Sequence, residues 1–86
     1  MFRIEARTYP EICVAVVTAF QLVPDNSLVT DGMNVVFRDY RRREEIVELA
    51  WDNWTGFTVA ARNLESESLV REIGDYLLQS QWVVES

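Results

Sequence analysis

The spacing of hydrophobic and polar residues changes several times along this chain, and each change marks an element. Phe2, Ile4 and Ala6 alternate with Arg3, Glu5 and Arg7, which predicts a half-buried strand over residues 2–8. Ile12, Val16, Ala19, Phe20 and Val23 then recur at helical spacing. Pro10 suits a first helical turn, and Glu11 suits the positive end of the helix dipole. Pro24 stops the run, and Pro24-Asp25-Asn26-Ser27 is turn chemistry. The β-branched residues Val14, Val16, Val17 and Thr18 leave a buried strand as the competing reading; the helix is preferred.

Asp31-Gly32 marks a second turn, after which residues 34–40 alternate as a strand, with Val35 and Phe37 opposite Val36 and Arg38. Residues 44–54 fit two patterns. As a helix, Val47, Ala50, Trp51 and Trp54 share a face. As a strand, Val47, Leu49 and Trp51 face inward while Glu48, Ala50 and Asp52 face outward. Arg41, Arg42 and Arg43 would sit at the wrong end of that helix's dipole. Asp52-Asn53-Trp54-Thr55-Gly56 also makes a good hairpin into residues 57–62, so the strand is preferred.

The last element is a helix with Ser66 as N-cap and Glu67 in its first turn. Leu69, Val70, Ile73, Tyr76 and Leu77 form its apolar stripe, and Glu67 and Arg71 stand at i,i+4 spacing. Gly74 inside it costs about 1 kcal/mol against Ala, which suggests close backbone packing there. Residues 81–84 read as a short edge strand. The order β-α-β-β-β-α predicts one α+β domain over residues 1–86, a small single-layer antiparallel sheet with two helices on one face. A helix at 44–54 would give β-α-β-α-β-α, whose loops are very short for parallel crossovers.

Composition sharpens this picture. The 86 residues are 49% hydrophobic and 12% aromatic, as in a small globular domain. A domain this short buries only about 60–65% of its unfolded surface. Three Trp, three Tyr and four Phe exceed what so thin a core readily hides. A self-associating surface, most simply a homodimer, accounts for the surplus. No run approaches the roughly 20 apolar residues of a membrane span. Glu5 and Glu11 break the basic region a signal peptide needs, so a cytoplasmic location is expected.

All eight basic residues are Arg, with no Lys, no His and a single Cys. These absences exclude His-based catalysis, Schiff-base and P-loop chemistry, internal disulfides and Cys-rich metal clusters. No D-x-D-x-D-G loop is present, and neither metal nor cofactor is expected. Cys13, set among Ile12, Val16 and Val17, reads as a small buried hydrophobe.

Charge is uneven. The whole chain carries -6, yet residues 38–43 hold four Arg and one Asp. Arg38, Arg41, Arg42 and Arg43 beside Tyr40 have the composition of a phosphate-binding knot. The order α-β-β-β-α also occurs in double-stranded-RNA-binding domains, but the last helix here opens on acidic Ser66-Glu67-Ser68. Net negative charge repels nucleic acid at long range. The Arg side chains are therefore expected to pair with Glu44, Glu45 and Glu48, or with a second copy. The carboxylate pairs Glu44/Glu45, Glu65/Glu67 and Glu72/Asp75 have general acid/base composition, but the chain is short for a cleft, and no catalytic residue is expected.

The densest aromatic segment is Trp51-Asp52-Asn53-Trp54-Thr55-Gly56-Phe57. One reading puts Trp51 and Phe57 in the core and Trp54 on a turn. Another makes Trp51, Trp54, Phe57 and Trp82 a partner-binding surface, joined by acidic Glu65, Glu67, Glu72 and Asp75 that steer a basic protein partner. A third pairs the aromatics with Glu48 or Asp52 to hold an organic cation. In size, charge and aromatic content the chain resembles small acidic proteins that neutralise basic toxins or nucleases, such as bacterial immunity proteins, and also orphan proteins of mobile gene cassettes. That general likeness implies a protein-binding role and assigns no residue. The expected function is a non-catalytic, self-associating interaction module. The alternative is a small-ligand (organic cation) binding protein, or a small enzyme with a pocket at an oligomer interface.

Overall fold

A computed structural model describes residues 6–32 and 34–80. In order these form helix α1 (Tyr9–Phe20), strands β1 (Val23–Pro24), β2 (Val29–Thr30), β3 (Val35–Arg42), β4 (Glu45–Asp52) and β5 (Gly56–Ala61), and helix α2 (Glu67–Leu78). The fold is α+β, with an antiparallel sheet and both helices on one face, in the expected order. The strand expected over 2–8 begins outside the described residues, and its described end, Ala6–Thr8, is a 3-10 turn running into α1. Residues 81–84, expected as an edge strand, also lie outside them.

The competing helix over 44–54 does not form. β4 pairs with β3 along its whole length, from Val35↔Asp52 to Arg42↔Glu45, and with β5 from Val47↔Ala61 to Asp52↔Gly56. This register puts Val47, Leu49 and Trp51 of β4, Tyr40 of β3 and Phe57 of β5 on one face, all buried. The helices cover that face. α1 contributes Tyr9, Ile12, Cys13 and Val16, and α2 contributes Leu69, Ile73 and Leu77. The β-branched stretch of α1 stays helical because the i, i+3, i+4, i+7 spacing of those four residues matches a helix face. The helix ends at Phe20, where Gln21 turns into the left-handed region at φ 56°. Val23, expected on the helix stripe, belongs instead to β1 and is exposed.

Specific contacts fix the layers. The Tyr9 hydroxyl donates to the Leu49 carbonyl at 2.7 Å, tying the start of α1 to the middle of β4. The Tyr9 and Phe57 rings lie 5.7 Å apart, and Phe20 meets Tyr76 edge-on at 5.6 Å, joining the two helices. Asn63 holds the β5–α2 connection to the β3–β4 turn: its side chain donates to the Glu44 carbonyl at 2.7 Å and accepts from the Ile46 N–H at 3.2 Å.

Two local expectations are corrected. Ser66 occupies the N-cap position, but its hydroxyl donates back to the Asn63 carbonyl at 2.8 Å. The chain enters α2 through a 3-10 turn at Leu64–Ser66, so the buried Ser66 already has helical backbone angles. Gly74 does not mark close packing, for a Cβ there would meet nothing within 4 Å.

Candidate functional site

The face of the sheet away from the helices carries the alternate residues of each long strand. By register these are Val35, Phe37, Asp39 and Arg41 of β3, Ile46, Glu48, Ala50 and Asp52 of β4, and Thr58 and Ala60 of β5. No described helix packs on them. Phe37, Val35 and Ala50 are nevertheless half-buried, because their neighbours on the twisted sheet and the turn at its end shelter them.

That end is built by carboxylate-capped turns. The Asp52 carboxylate accepts hydrogen bonds from the Trp54 N–H at 2.8 Å and the Thr55 N–H at 2.7 Å, and from the Thr55 hydroxyl. The Thr55 bonds favour the ionised form and lower its pKa. Gly56 follows at φ 83°, a left-handed position that suits glycine. On the neighbouring turn Asp31 accepts from the Asn34 and Val35 N–H groups at 2.7 and 3.1 Å, and the Asn53 N–H donates to the Asn34 carbonyl at 2.9 Å. The two turns thus brace one another and hold Trp54 outward, 74% exposed. Beneath it lies a cleft of about 480 Å³ lined by Val35, Phe37, Glu48, Ala50, Asp52, Trp54 and Thr58, among others.

Further along the same face the charges interlock. Asp39 and Glu48 are directly opposite in the β3–β4 register. The Arg62 guanidinium lies 3.6 Å from Asp39 and 3.9 Å from Glu48. Asp39 also accepts from the Asn26 side-chain amide at 3.0 Å, while its other carboxylate oxygen is buried without a hydrogen bond.

The four clustered Arg residues do not form one basic patch, because strand alternation divides them. Arg41 points to the helix-free face and pairs with Asp25 at 3.2 Å. Arg42 donates two hydrogen bonds of 3.0 and 3.3 Å to Glu45 across the hairpin, and this contact with a carboxylate raises the Arg42 pKa. Arg38 donates to the Asn26 carbonyl at 2.7 Å and lies 5.9 Å from the Tyr40 ring centre. Arg43 takes the turn itself, at φ 57°.

The aromatic residues divide as well. Phe57 is fully buried and Trp51 is 9% exposed, so both belong to the core, and Trp54 alone of the three stands at the surface. Trp82 lies outside the described residues. Glu65, Glu67, Glu72 and Asp75 are all exposed, on and just before α2. Glu67 and Arg71 do not form an ion pair among those of the described residues.

The two sheet edges differ. On the β3 side the edge is broken into β1 and β2, two residues each, and β1 contains Pro24. On the other side stands β5, Gly56-Phe57-Thr58-Val59-Ala60-Ala61, with neither charge nor proline. The Arg62 N–H donates inward to the Ile46 carbonyl. By strand alternation the even-numbered residues of β5 bond to β4, and the backbone groups of Phe57, Val59 and Ala61 point outward. Among the described residues no strand pairs with them. This edge was readable in the sequence as an uncharged run of six residues, but not until β5 was known to be terminal in the sheet.

Cys13 lies by the hydroxyls of Tyr9 and Tyr40, and burial pushes its thiol pKa up, against nucleophilic use. It lines a second cavity, about 370 Å³, with Tyr9, Pro10, Val14, Leu28 and Tyr40. Among the described residues no three or more His, Cys, Asp or Glu are grouped to hold a metal ion. No described helix is long and apolar enough to cross a membrane. The chain matches no known protein family, no curated protein and no solved structure.

Proposed function

We propose that this chain is a non-catalytic interaction module that self-associates through the β5 edge. The observation that carries the reading is the asymmetry of the sheet edges. An uncharged strand with outward N–H and C=O groups is a template for another strand, and proteins that stay monomeric usually blunt such edges with charge, proline or short strands. The β1/β2 edge has those devices and β5 lacks them.

A second copy fits the edge in chemistry as well as geometry. Antiparallel pairing of β5 with β5 continues the sheet across a two-fold axis, an isologous contact that closes. On the helix side, Ala61, Glu67, Val70 and Arg71 line a shallow depression of about 280 Å³ beside β5. Exposed Glu67 and Arg71 there offer charges of opposite sign to a second copy across the seam. The experiment is solution mass by size-exclusion chromatography with light scattering, over a range of protein and salt concentrations. A dimer that dissociates on dilution, and on substitution of Ala60→Lys or Ala61→Pro, is expected. A monomer at all concentrations overturns the reading.

A basic protein partner is the second reading, supported by the exposure of Glu65, Glu67, Glu72 and Asp75 together with the net charge of -6. Such steering is lost in salt. It predicts affinity for basic proteins that falls steeply with ionic strength and falls again when Glu72 and Asp75 become neutral amides.

A further inference from the structure

We propose that the cleft beneath Trp54 is a binding site for a small organic cation, a quaternary or alkylammonium group carried on an apolar body. Three features on the helix-free face converge on that chemistry. The cleft has apolar and aromatic walls in Val35, Phe37, Ala50 and Trp54. It has two carboxylates at its border, Glu48 and Asp52. It has no Arg among its lining residues; the Arg62 guanidinium, 3.9 Å from Glu48, lies closer to Asp39, at 3.6 Å.

An aromatic face attracts a cation through its quadrupole, and a weakly hydrated quaternary ammonium loses little when it leaves water for such a face. A carboxylate nearby adds attraction for a cation and repels an anion. A neutral ligand would gain from the walls but nothing from Glu48 and Asp52. A bare metal ion is poorly served, since no group of three ligating side chains exists among the described residues. The volume of about 480 Å³ suits a cation with one aromatic or short aliphatic body. The site is also preorganised. Asp52 is held by the hairpin N–H groups, and the Asn53–Asn34 bond braces the turn that presents Trp54, so little ordering remains for the ligand to impose.

The site does not depend on self-association, because β5 pairing uses the outward backbone groups of Phe57, Val59 and Ala61. The Ala61→Pro chain is therefore expected to keep it.

The test is titration of benzyltrimethylammonium into the full chain, followed by tryptophan fluorescence and by amide shifts of residues 35–37 and 48–58. Its neutral isostere, neopentylbenzene, is titrated alongside. Saturable binding of the cation is expected, confined to those amides, with no saturation by the isostere. Trp54→Ala is expected to weaken the cation about tenfold, while Trp54→Phe keeps most of the affinity. Glu48→Gln is expected to weaken it about threefold at low salt and less at high salt. Trp54 is exposed, so its variants fold, and circular dichroism verifies that. Equal affinity for the neutral isostere overturns the proposal. So does unchanged affinity in Trp54→Ala, or an absence of saturation at millimolar cation.

Discussion

Removing the Arg62 guanidinium exposes a repulsion built into the sheet register. Asp39 and Glu48 are directly opposite on the helix-free face. Such pairs have Cβ atoms about 5 Å apart, and like charges there are destabilising. Two unit charges at that separation repel by about 1 kcal/mol in water and about 3 kcal/mol at the effective dielectric near a protein surface. Arg62 offsets this by reaching both carboxylates. Its side chain is 52% exposed against 13% for Asp39, so solvent screens much of the attraction and the lower figure applies. Without Arg62, Asp39 keeps the Asn26 amide on one oxygen and has a buried, unbonded oxygen on the other. Arg62→Ala is therefore expected to cost about 1–2 kcal/mol at low salt, and less once the repulsion is screened. In a Glu48→Gln background the same substitution is expected to cost about half as much, because one of the two opposed charges is gone. The assay is urea denaturation of the four chains of that cycle, at low and high salt. An equal cost in both backgrounds, unchanged by salt, would refute the electrostatic reasoning and leave only the packing of the Arg stem.

Other expectations follow from single contacts. Gly74→Ala is expected to stabilise by about 0.5–1 kcal/mol, since the site is helical and a Cβ meets open space; a loss in thermal denaturation contradicts this. Tyr9→Phe removes the buried bond to the Leu49 carbonyl and is expected to cost about 1 kcal/mol with the fold intact, measured by urea denaturation. At high pH, burial holds the Tyr9 phenol protonated and pushes Tyr40 up to about 12, against 10.0 for an unburied phenol. Well below pH 10 both phenols are neutral in folded and unfolded chains alike. As pH rises from 10 towards 12 the unfolded chain ionises first, so stability falls across that window. Tyrosinate absorbance from these two residues should appear together with loss of the circular dichroism signal, and their ionisation in a native chain at pH 10, as for an unburied phenol, would contradict the burial argument.

What the sequence makes legible here is periodicity, and what it hides is placement. β3, β4 and β5 follow from alternation, and α2 follows from the spacing of Leu69, Ile73 and Leu77. The balance between strand and helix at 44–54 tips on two local signals, the Arg run and the hairpin residues, and both point the right way. β1 and β2 carry no such signal, because strands of two residues have no period; only their pairing to β3 defines them. Arg38, Arg41, Arg42 and Arg43 read as one cluster in a linear chain, yet strand alternation sends neighbours to opposite faces. Trp51, Trp54 and Phe57 likewise look like one aromatic group, and the hairpin puts two in the core and one in water. Ser66 has the identity of a cap, but a 3-10 entry removes the geometry a cap needs. The cleft under Trp54 depends on residues from β3, β4 and β5 at once, so only Trp54, Glu48 and Asp52 were within reach of sequence reasoning, while Phe37 and Val35 were not.

Self-association depends on the β5 edge, and amide hydrogen exchange reads that edge directly. The N–H groups of Phe57, Val59 and Ala61 point away from β4 and have no intrachain strand partner among the described residues. In a β5-paired dimer they are protected, the protection fades on dilution, and Ala60→Lys removes it while the inward amides of Thr58 and Ala60 or its replacement stay slow. If Phe57, Val59 and Ala61 exchange as open amides at every concentration at which the inward set is protected, the edge is free and the self-association proposed here is wrong.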